Sequence, residues 1–405
     1  MTTYATQGWD IVGAIDQKTL NVELGVLYNR GGLPNHLEAV STRYFSASLS
    51  ADIGPPTATL GGVTQGIAQL TFKITKGTLK FGKKPDTELE GIVFTVSTAV
   101  NQIELQTRDT VKIYIDFLSD AMAITISGLP DRDLQDILNF MLRKAFEQLK
   151  AGSYYLATVD IVALDIPDFL WPRKVAFTLV PHPNLPELNE LLVLLQTVGR
   201  SGQKNYNDTL LPDGREGVVL LSNERLLTNV VGDGLKEAIP TGHFDYSPND
   251  FHLTATTKYG DDDLKGAHAS VEGNAIHVRL NVAAMGKLGG GVNIYVDSDT
   301  KITVTYDSGS ASFQVTQDTP KPHTSYTLEW WVYMVAAVTG GAIGIAIAVV
   351  IGEVTRLVSV GISEKEIKKA FEGALKPIKW PAGGYVTPTA VNFPEPLQMF
   401  VAPKT

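Results

Sequence analysis

Cysteine is absent from the 405 residues of this chain. Its absence excludes disulfides, zinc–thiolate sites and thiol nucleophiles together. Positive charge is also scarce: Lys and Arg number 34 against 43 Asp and Glu, which gives a formal net charge of −9. No basic run offsets this acidity, so we do not expect nucleic acid to be a partner.

The usual signatures of catalysis and of metal binding are missing too. The sequence contains no HExxH, Walker A or GxSxG motif, and its seven histidines are scattered without a pair at metal-ligand spacing. No group of residues supplies a nucleophile, a base and a side chain that orients the base. We therefore predict a protein that is not an enzyme and holds no metal or cofactor.

The N-terminal stretch MTTYATQGWDIV has no basic segment followed by an apolar segment. A signal peptide for classical export needs both. We therefore expect synthesis in a bacterial cytoplasm, with any release to the outside following a non-classical route.

Alternating apolar and polar residues are plentiful. Period-two patterns run through 70–74, 110–117, 122–127, 276–282 and 292–296. Each pattern gives a strand with one apolar and one polar face, which is typical of antiparallel sheets. The predicted class is therefore α+β with antiparallel sheets.

Apolar residues at helical spacing predict helices over 131–150, 186–198, 223–239 and 363–375. Ser222 is the predicted N-cap of the third helix, and a capping box opens the fourth. The order of elements is similar in two halves, each with one-sided strands, a long apolar helix and a short extended return. We therefore predict two domains, residues 1–181 and residues 182–405.

The most unusual segment runs from Trp330 to Gly352 and contains 23 residues without a charge. A helix of this length reaches roughly 35 Å, about the thickness of the apolar part of a bilayer. Small residues recur at every fourth position and form one smooth row that is suited to close helix packing. The row consists of Ala336, Gly340, Gly344, Ala348 and Gly352.

Three interpretations of this segment remain open. It is a core helix covered by curved sheet, a wall of an apolar tunnel for lipid tails, or a helix that inserts into a membrane. For the tunnel, we predict lipid contacts from side chains opposite or beside the small-residue row. These side chains are Trp330, Met334, Val338, Ile345 and Val349.

Three further stretches carry a family resemblance: GWDIV at 8–12, VVLLSNERLL at 218–227, and GGYVTP at 383–388 followed by Asn392-Phe393. Together they resemble the 47-kilodalton protein family encoded in clostridial botulinum-type neurotoxin gene clusters, and its OrfX relatives. The resemblance spans essentially the whole chain, and GWDIV is its most specific part. The motif residues that we single out are Trp9, Asp10, Ser222 and Asn223.

This resemblance implies a tubular lipid-binding (TULIP-like) fold, in which long curved antiparallel sheets wrap around long apolar helices. It also implies a non-enzymatic accessory protein whose partners are a lipid or phosphoinositide, a toxin, or another protein of the cluster. Two alternatives stand beside lipid binding. One is a closed structural scaffold in a toxin complex with no lipid bound, and the other is membrane insertion through the helix at 330–352.

Overall fold

The computed structural model describes most of the chain in a series of ranges. These are residues 6–42, 45–61, 66–104, 109–150, 153–161, 166–198, 202–212, 214–247, 250–259, 262–285, 292–318, 323–328, 364–382, 386–392 and 397–402. Strands and helices are numbered below in chain order.

A six-stranded antiparallel sheet, the central sheet, joins segments that are far apart in sequence, in the spatial order β11-β12-β1-β13-β24-β23. Its strands are β1 (Ile11–Asp16), β11 (Lys174–Val180), β12 (Glu190–Gln196), β13 (Gly217–Leu221), β23 (Thr387–Asn392) and β24 (Leu397–Ala402). The N-terminal strand β1 lies between β12 and β13, with Ile11 opposite both Leu195 and Leu221. Both predicted halves thus contribute strands to one sheet.

A ten-stranded antiparallel sheet contains most of the strands before residue 161. Its members are β2 (His36–Ser41), β3 (Ala47–Ile53), β4 (Thr57–Leu60), β5 (Ile67–Phe81), β6 (Thr87–Glu88), β7 (Val93–Glu104), β8 (Thr110–Ile115), β9 (Ala123–Ser127), β10 (Tyr155–Asp160) and β22 (Ile378–Lys379).

An eight-stranded antiparallel sheet follows in the second half of the chain. Its members are β14 (Phe244–Ser247), β15 (Asp250–Leu253), β16 (Thr257–Tyr259), β17 (Asp262–Glu272), β18 (Ala275–Met285), β19 (Val292–Asp307), β20 (Ser312–Gln317) and β21 (His323–Leu328). The α+β class with mostly antiparallel sheets is confirmed, and the sheets include a curled half-barrel.

The described helices are few. They are α1 (Gln17–Asn29), α2 (Arg132–Glu147), α3 (Asn223–Arg225), α4 (Gly232–Ala238) and α5 (Glu364–Leu375). A π-helical turn (Leu226–Val231) joins α3 to α4. Short 3-10 turns lie at Asp168–Leu170 and Pro186–Leu188. The predicted helices at 131–150, 223–239 and 363–375 are therefore confirmed. α2 begins at the predicted place because the Asp131 side chain accepts hydrogen bonds from the Asp133 and Leu134 amides.

The helix predicted at 186–198 is wrong. Residues 190–196 form strand β12, and all seven are buried. A strand covered on both faces is a continuous apolar run, and periodicity cannot distinguish such a run from a buried helix. The hydrophobic stretch Leu191–Leu195 is therefore explained by its place inside the central sheet.

Two separate apolar clusters bury the two faces of this sheet. Ile11, Ile15 and Leu195 belong to the main core, which extends through the whole described molecule. Val12, Leu194 and other side chains of the opposite face pack under the segment 202–212, which contributes Tyr206 and Leu210. Strands β1, β12 and β13 of the central sheet are thus buried along their whole length.

The apolar segment at 330–352, with all its predicted contact and packing residues, lies outside the described residues. Among the helices that are described, none combines the length and the hydropathy needed to cross a bilayer. The described helices are amphipathic or short, unlike the long apolar helices that the sequence predicts; α2, for example, has 16 residues and buries one face.

Candidate functional site

Motif residues from the start and from the middle of the sequence meet in one buried network around Asp10. The Asp10 Oδ1 atom accepts a hydrogen bond from Arg225 Nε at 3.0 Å. Its Oδ2 atom accepts from Gln196 Nε2 at 2.8 Å, from the Thr197 amide at 2.7 Å and from Thr197 Oγ1 at 2.9 Å. The Asp10 and Arg225 side chains are 1% and 9% exposed, so this ion pair is shielded from water.

Trp9 anchors the segment before β1. Its indole Nε1 donates to the Gln203 carbonyl oxygen at 2.7 Å, and its ring lies against Gly202. A Cβ atom at Gly202 would lie 2.4 Å from Trp9 Cδ1, so glycine is required for this close approach. The motif tryptophan therefore fixes the segment that covers the outer face of the central sheet.

Ser222 and Asn223 lie where β13 passes into α3. The Ser222 amide donates to the Asp10 carbonyl oxygen at 2.9 Å, and Ser222 Oγ caps the helix by accepting from the Arg225 amide at 3.3 Å. Asn223 is buried as the first residue of α3. Asp10 and Ser222 thus hold the start of β1, the end of β13 and α3 together, and both carboxylate oxygens of Asp10 are occupied within the protein. We conclude that the motif stabilises the fold.

The eight-stranded sheet carries a polar outer surface that we name the histidine face. Its strands align these side chains in rows, such as His252, His268, Arg279 and Asp299 on four neighbouring strands. The face comprises His252, His268, His277, His323, Arg279, Asp250, Glu272, Asp297 and Asp299. A hollow of about 300 Å³ opens on it.

Ion pairs connect the side chains of this face. Arg279 Nη1 lies 2.6 Å from Glu272 Oε1, and Arg279 Nε lies 3.3 Å from Asp299 Oδ2. Hydrogen bonds from Arg279 and Ser270 lower the pKa of Glu272 to about 2. Within the described residues, the charged side chains of this network therefore pair with one another.

A second recess, the α1 cleft, has a volume of about 330 Å³. It lies between the first turns of α1 and the loop before β13. Its walls are formed by Asp16, Lys18, Thr19, Val22, Glu23, Leu188, Gly214, Arg215 and Glu216. A smaller hollow adjoins it, shares Asp16 and Arg215, and reaches His182 and the buried Glu190.

Carboxyl groups at this cleft have perturbed acidity. Burial raises the pKa of Glu190 to about 7, against the opposing effect of hydrogen bonds from the Leu210 and Leu211 amides. Burial also raises the pKa of Glu23, although the Ala382 amide and Arg30 act in the opposite direction. Both groups therefore resist ionisation more strongly than exposed glutamates do.

A third surface, the aromatic edge, combines exposed apolar groups with lysines. The Phe45 ring lies 5.2 Å from Phe140 and 5.6 Å from Phe81, measured between ring centroids. Phe140 is 36% exposed and Val40, on the edge strand β2, is 54% exposed. Two lysines contact this edge: Lys84 Nζ lies 5.6 Å from the Phe81 centroid, and Lys144 donates to the Val40 carbonyl oxygen. Lys80 and Lys83 are exposed and lie within two residues of Phe81 in the sequence.

Sequence reasoning identified the motif residues but missed these three surfaces. Histidines spaced irregularly along the chain become neighbours through strand pairing, which the sequence does not reveal. One signal was present for the hollow that adjoins the α1 cleft: Glu190 begins an apolar run, and an acid in such a run is unusual. In the part of the chain that the structure describes, no three His, Cys, Asp or Glu side chains are arranged to hold a metal.

Comparison with solved structures identifies proteins of similar fold. The structure of P47 from Clostridium botulinum A2 matches with a TM-score of 0.67 and 15% identity, over 98% of this chain and 97% of that chain. P47 of Clostridium botulinum E1 matches with a TM-score of 0.68 and 13% identity, over 98% and 100%. Lipopolysaccharide binding protein reaches only 0.33 at 9% identity, over 97% and 98%, and carries no weight.

No protein-family model matches the chain, and no curated protein matches it by sequence. At such low identity, the two P47 structures show a shared fold rather than a shared activity. The resemblance indicated by the sequence motifs is confirmed in this sense: along nearly its whole length the chain has the fold of the P47 proteins of Clostridium botulinum.

Proposed function

We propose that this chain is a non-enzymatic accessory protein of a toxin gene cluster and that it acts by contacting an anionic lipid surface. The first part is supported by the P47 fold together with the motif resemblance. The second part rests on one observation, the aromatic edge. A TULIP-like arrangement of sheet around the apolar segment 330–352 would supply a further apolar contact and belongs to the same proposal.

The aromatic edge has the composition that suits the boundary between a membrane and water. Partly exposed aromatic rings are favoured at that boundary, where one side is apolar and the other is wet. Lysines around them attract anionic head groups, phosphoinositides included, at about 1 kcal/mol for each lysine near the surface. Of these lysines, Lys80 also pairs with Asp86 at 3.2 Å, so the cationic character is concentrated on the other three.

Vesicle flotation tests this proposal. The protein should float with phosphatidylcholine vesicles that contain phosphatidylserine or a phosphoinositide, and less with phosphatidylcholine alone. Phe140→Ser should weaken binding about ten-fold or more, because a buried Phe side chain is worth about 1.5–3 kcal/mol. Leu118→Ser is the matched control, since Leu118 is 59% exposed and belongs to a different part of the chain.

Equal binding of both variants would exclude the aromatic edge as the contact. Absence of binding to every vesicle would reject the lipid function altogether. The second candidate is a closed scaffold that binds only a protein partner, for which the hollow of about 300 Å³ on the histidine face would be the contact surface. Co-sedimentation with a toxin complex in the absence of vesicle binding would support that candidate.

A further inference from the structure

The segment 202–212, which we name the strap, contains no helix or strand and packs on the outer face of the central sheet. Two of its side chains, Tyr206 and Leu210, are buried, and both belong to the apolar cluster of that face. The other side chains of the strap are exposed or partly exposed. An apolar face of the sheet is therefore covered by a segment that has no regular structure of its own.

Neutral hydrogen bonds hold the first half of the strap. The Gln203 amide donates to the Gln7 carbonyl oxygen at 2.9 Å, and the Gln203 carbonyl oxygen accepts from Trp9 Nε1 at 2.7 Å. Tyr206 Oη donates to the Thr6 carbonyl oxygen at 2.9 Å. None of these groups changes its charge near neutral pH, so we expect this half to be held equally well in acid and at neutral pH.

The second half of the strap is attached to a single carboxyl group. The Leu210 amide donates to Glu190 Oε2 and the Leu211 amide donates to Glu190 Oε1, both at 2.8 Å. Glu190 is the first residue of β12 and is only 1% exposed. Lys204 and Asp208, which the strap itself contributes, are exposed. The attachment of the second half therefore depends on the state of one buried acid.

The surroundings of Glu190 disfavour its charged form. The hollow beside it has a volume of only about 10 Å³, which holds at most one water molecule. The charged and titratable groups that line this hollow with Glu190 are Asp16, His182 and Arg215. Burial raises the pKa of Glu190 to about 7, the two strap amides act to lower it, and the charge of Asp16 acts to raise it. Full hydration of the carboxylate therefore requires the strap to move.

We propose that residues 207–212 form a pH-sensitive cover, which is closed while Glu190 holds a proton and opens locally when Glu190 is ionised. Opening lets water reach the carboxyl group and so favours its charged form. The closed state therefore binds the proton more tightly than the open state does. Closure is most stable below pH 4.5, the ordinary pKa, and weakens as the pH rises to about 7. Opening withdraws Leu210 from the apolar cluster and exposes part of the outer face to water.

Hydrogen exchange of the native chain, resolved to single amides, tests this proposal. After correction for the intrinsic exchange rate, protection of the Leu210 and Leu211 amides should fall about thirty-fold between about pH 5.5 and 8, because opening releases one proton. The amides of residues 192–194 in β12 should be better protected at every pH. These amides lie between two paired strands and exchange only when the sheet itself opens.

Glu190→Gln removes the ionisation at nearly constant size and should abolish the fall in protection. Its protection should be lower than that of the native chain in acid, because one of the two strap amides loses its acceptor. Glu187→Gln is the matched control. This glutamate is exposed and lies three residues before Glu190, so its replacement should leave the native pH dependence unchanged.

Two results would overturn the proposal. Equal protection of the strap amides and of residues 192–194 would mean that the strap opens only together with the sheet. An unchanged fall with pH in Glu190→Gln, or no fall in the native chain, would mean that Glu190 does not control the opening. The comparison within the native chain holds even if Glu190→Gln does not fold. None of these measurements involves vesicles, so this inference and the lipid proposal fail separately.

Discussion

An arginine beside the central sheet and an arginine in the eight-stranded sheet each bind carboxylates, and the two networks differ chiefly in their exposure to water. Arg225 and Asp10 are 9% and 1% exposed, with Nε and Oδ1 3.0 Å apart. Arg279 and Glu272 are 45% and 46% exposed, with the closest atoms 2.6 Å apart. The ion pair with the shorter distance, Arg279–Glu272, is therefore the one that is exposed to water.

Contact length is a poor guide to the stability that such a pair supplies. An exposed ion pair adds about 0–1 kcal/mol, because water and salt weaken it and two long side chains lose freedom. Removing one member of a buried pair costs about 3–5 kcal/mol, because the remaining charge is stranded. The Asp10 network should therefore contribute strongly to the stability of the fold, whereas the ion pairs of the histidine face should contribute little.

The largest effect is expected from Arg225→Leu. This change strands the Asp10 carboxylate in the interior and should lower the free energy of unfolding by about 3–5 kcal/mol, measured by urea denaturation. Asp52→Asn, at the exposed His36–Asp52 pair, is the control and should cost less than about 1 kcal/mol. Similar losses for both variants would break the distinction between buried and exposed networks.

The two sheets should also make different contributions to the pH dependence of the free energy of unfolding. Glu190 has a folded pKa of about 7 against an ordinary value of 4.5, so the folded state holds the extra proton within that window. The free energy of unfolding should therefore fall by up to about 3 kcal/mol as the pH rises from 4.5 to 7.

Glu190→Gln should remove most of this slope in urea titrations on either side of the window. Glu23, whose pKa is also raised, leaves a residual slope of the same sign. The lowered pKa of Glu272 acts oppositely, because its contribution is present at neutral pH and is lost as the pH falls from 4.5 towards 2. A variant with an unchanged slope would show that Glu190 does not control the response.

A smaller loss is expected from Gly202→Ala. The added methyl group would lie 2.4 Å from Trp9 Cδ1, against a ring that is itself buried, and overpacking of this kind costs about 1–3 kcal/mol. Gly25→Ala is the matched control. Nothing lies within 4 Å of its Cβ position in α1, so it should raise the melting temperature slightly. Equal changes in melting temperature for Gly202→Ala and Gly25→Ala would mean that the Trp9 ring is not tightly packed against residue 202.

The smallest effect is expected from Arg279→Gln on the histidine face. Stability should fall by less than about 1 kcal/mol, and the difference should shrink further as salt is added. Thermal unfolding at low and high ionic strength measures both. A loss comparable with that of Arg225→Leu would show that the histidine face is a structural element after all.

Local patterns in the sequence predicted much of the secondary structure. The α2 stripe of Leu138, Met141 and Ala145 is buried as expected, and Ser222 caps its helix. Strand β18 buries its apolar side from Ile276 to Val282, and the polar side chains between them are partly or fully exposed. These features depend on residues only a few positions apart, which is the range over which periodicity and capping operate.

Contacts between residues that are far apart in the sequence could not be predicted from such local patterns. β12 resembled a helix because burial on both faces removed the alternation that marks a strand. The motif predicted a family resemblance, yet the partner of Asp10 is Arg225, 215 residues away, and nothing local indicates that pairing. The same holds for the α1 cleft, which brings Glu23 near Ala382 and Asp16 near Arg215. The role of residues 330–352 stays a prediction.

The position of β1 has a consequence for biosynthesis. This strand is translated before its neighbours β12 and β13, which end at residues 196 and 221. At 5–20 residues per second, roughly 10–40 s elapse before both neighbours have been translated. Throughout that interval β1 lacks both strands that it pairs with in the folded protein, so we expect a chaperone that holds this strand to assist folding.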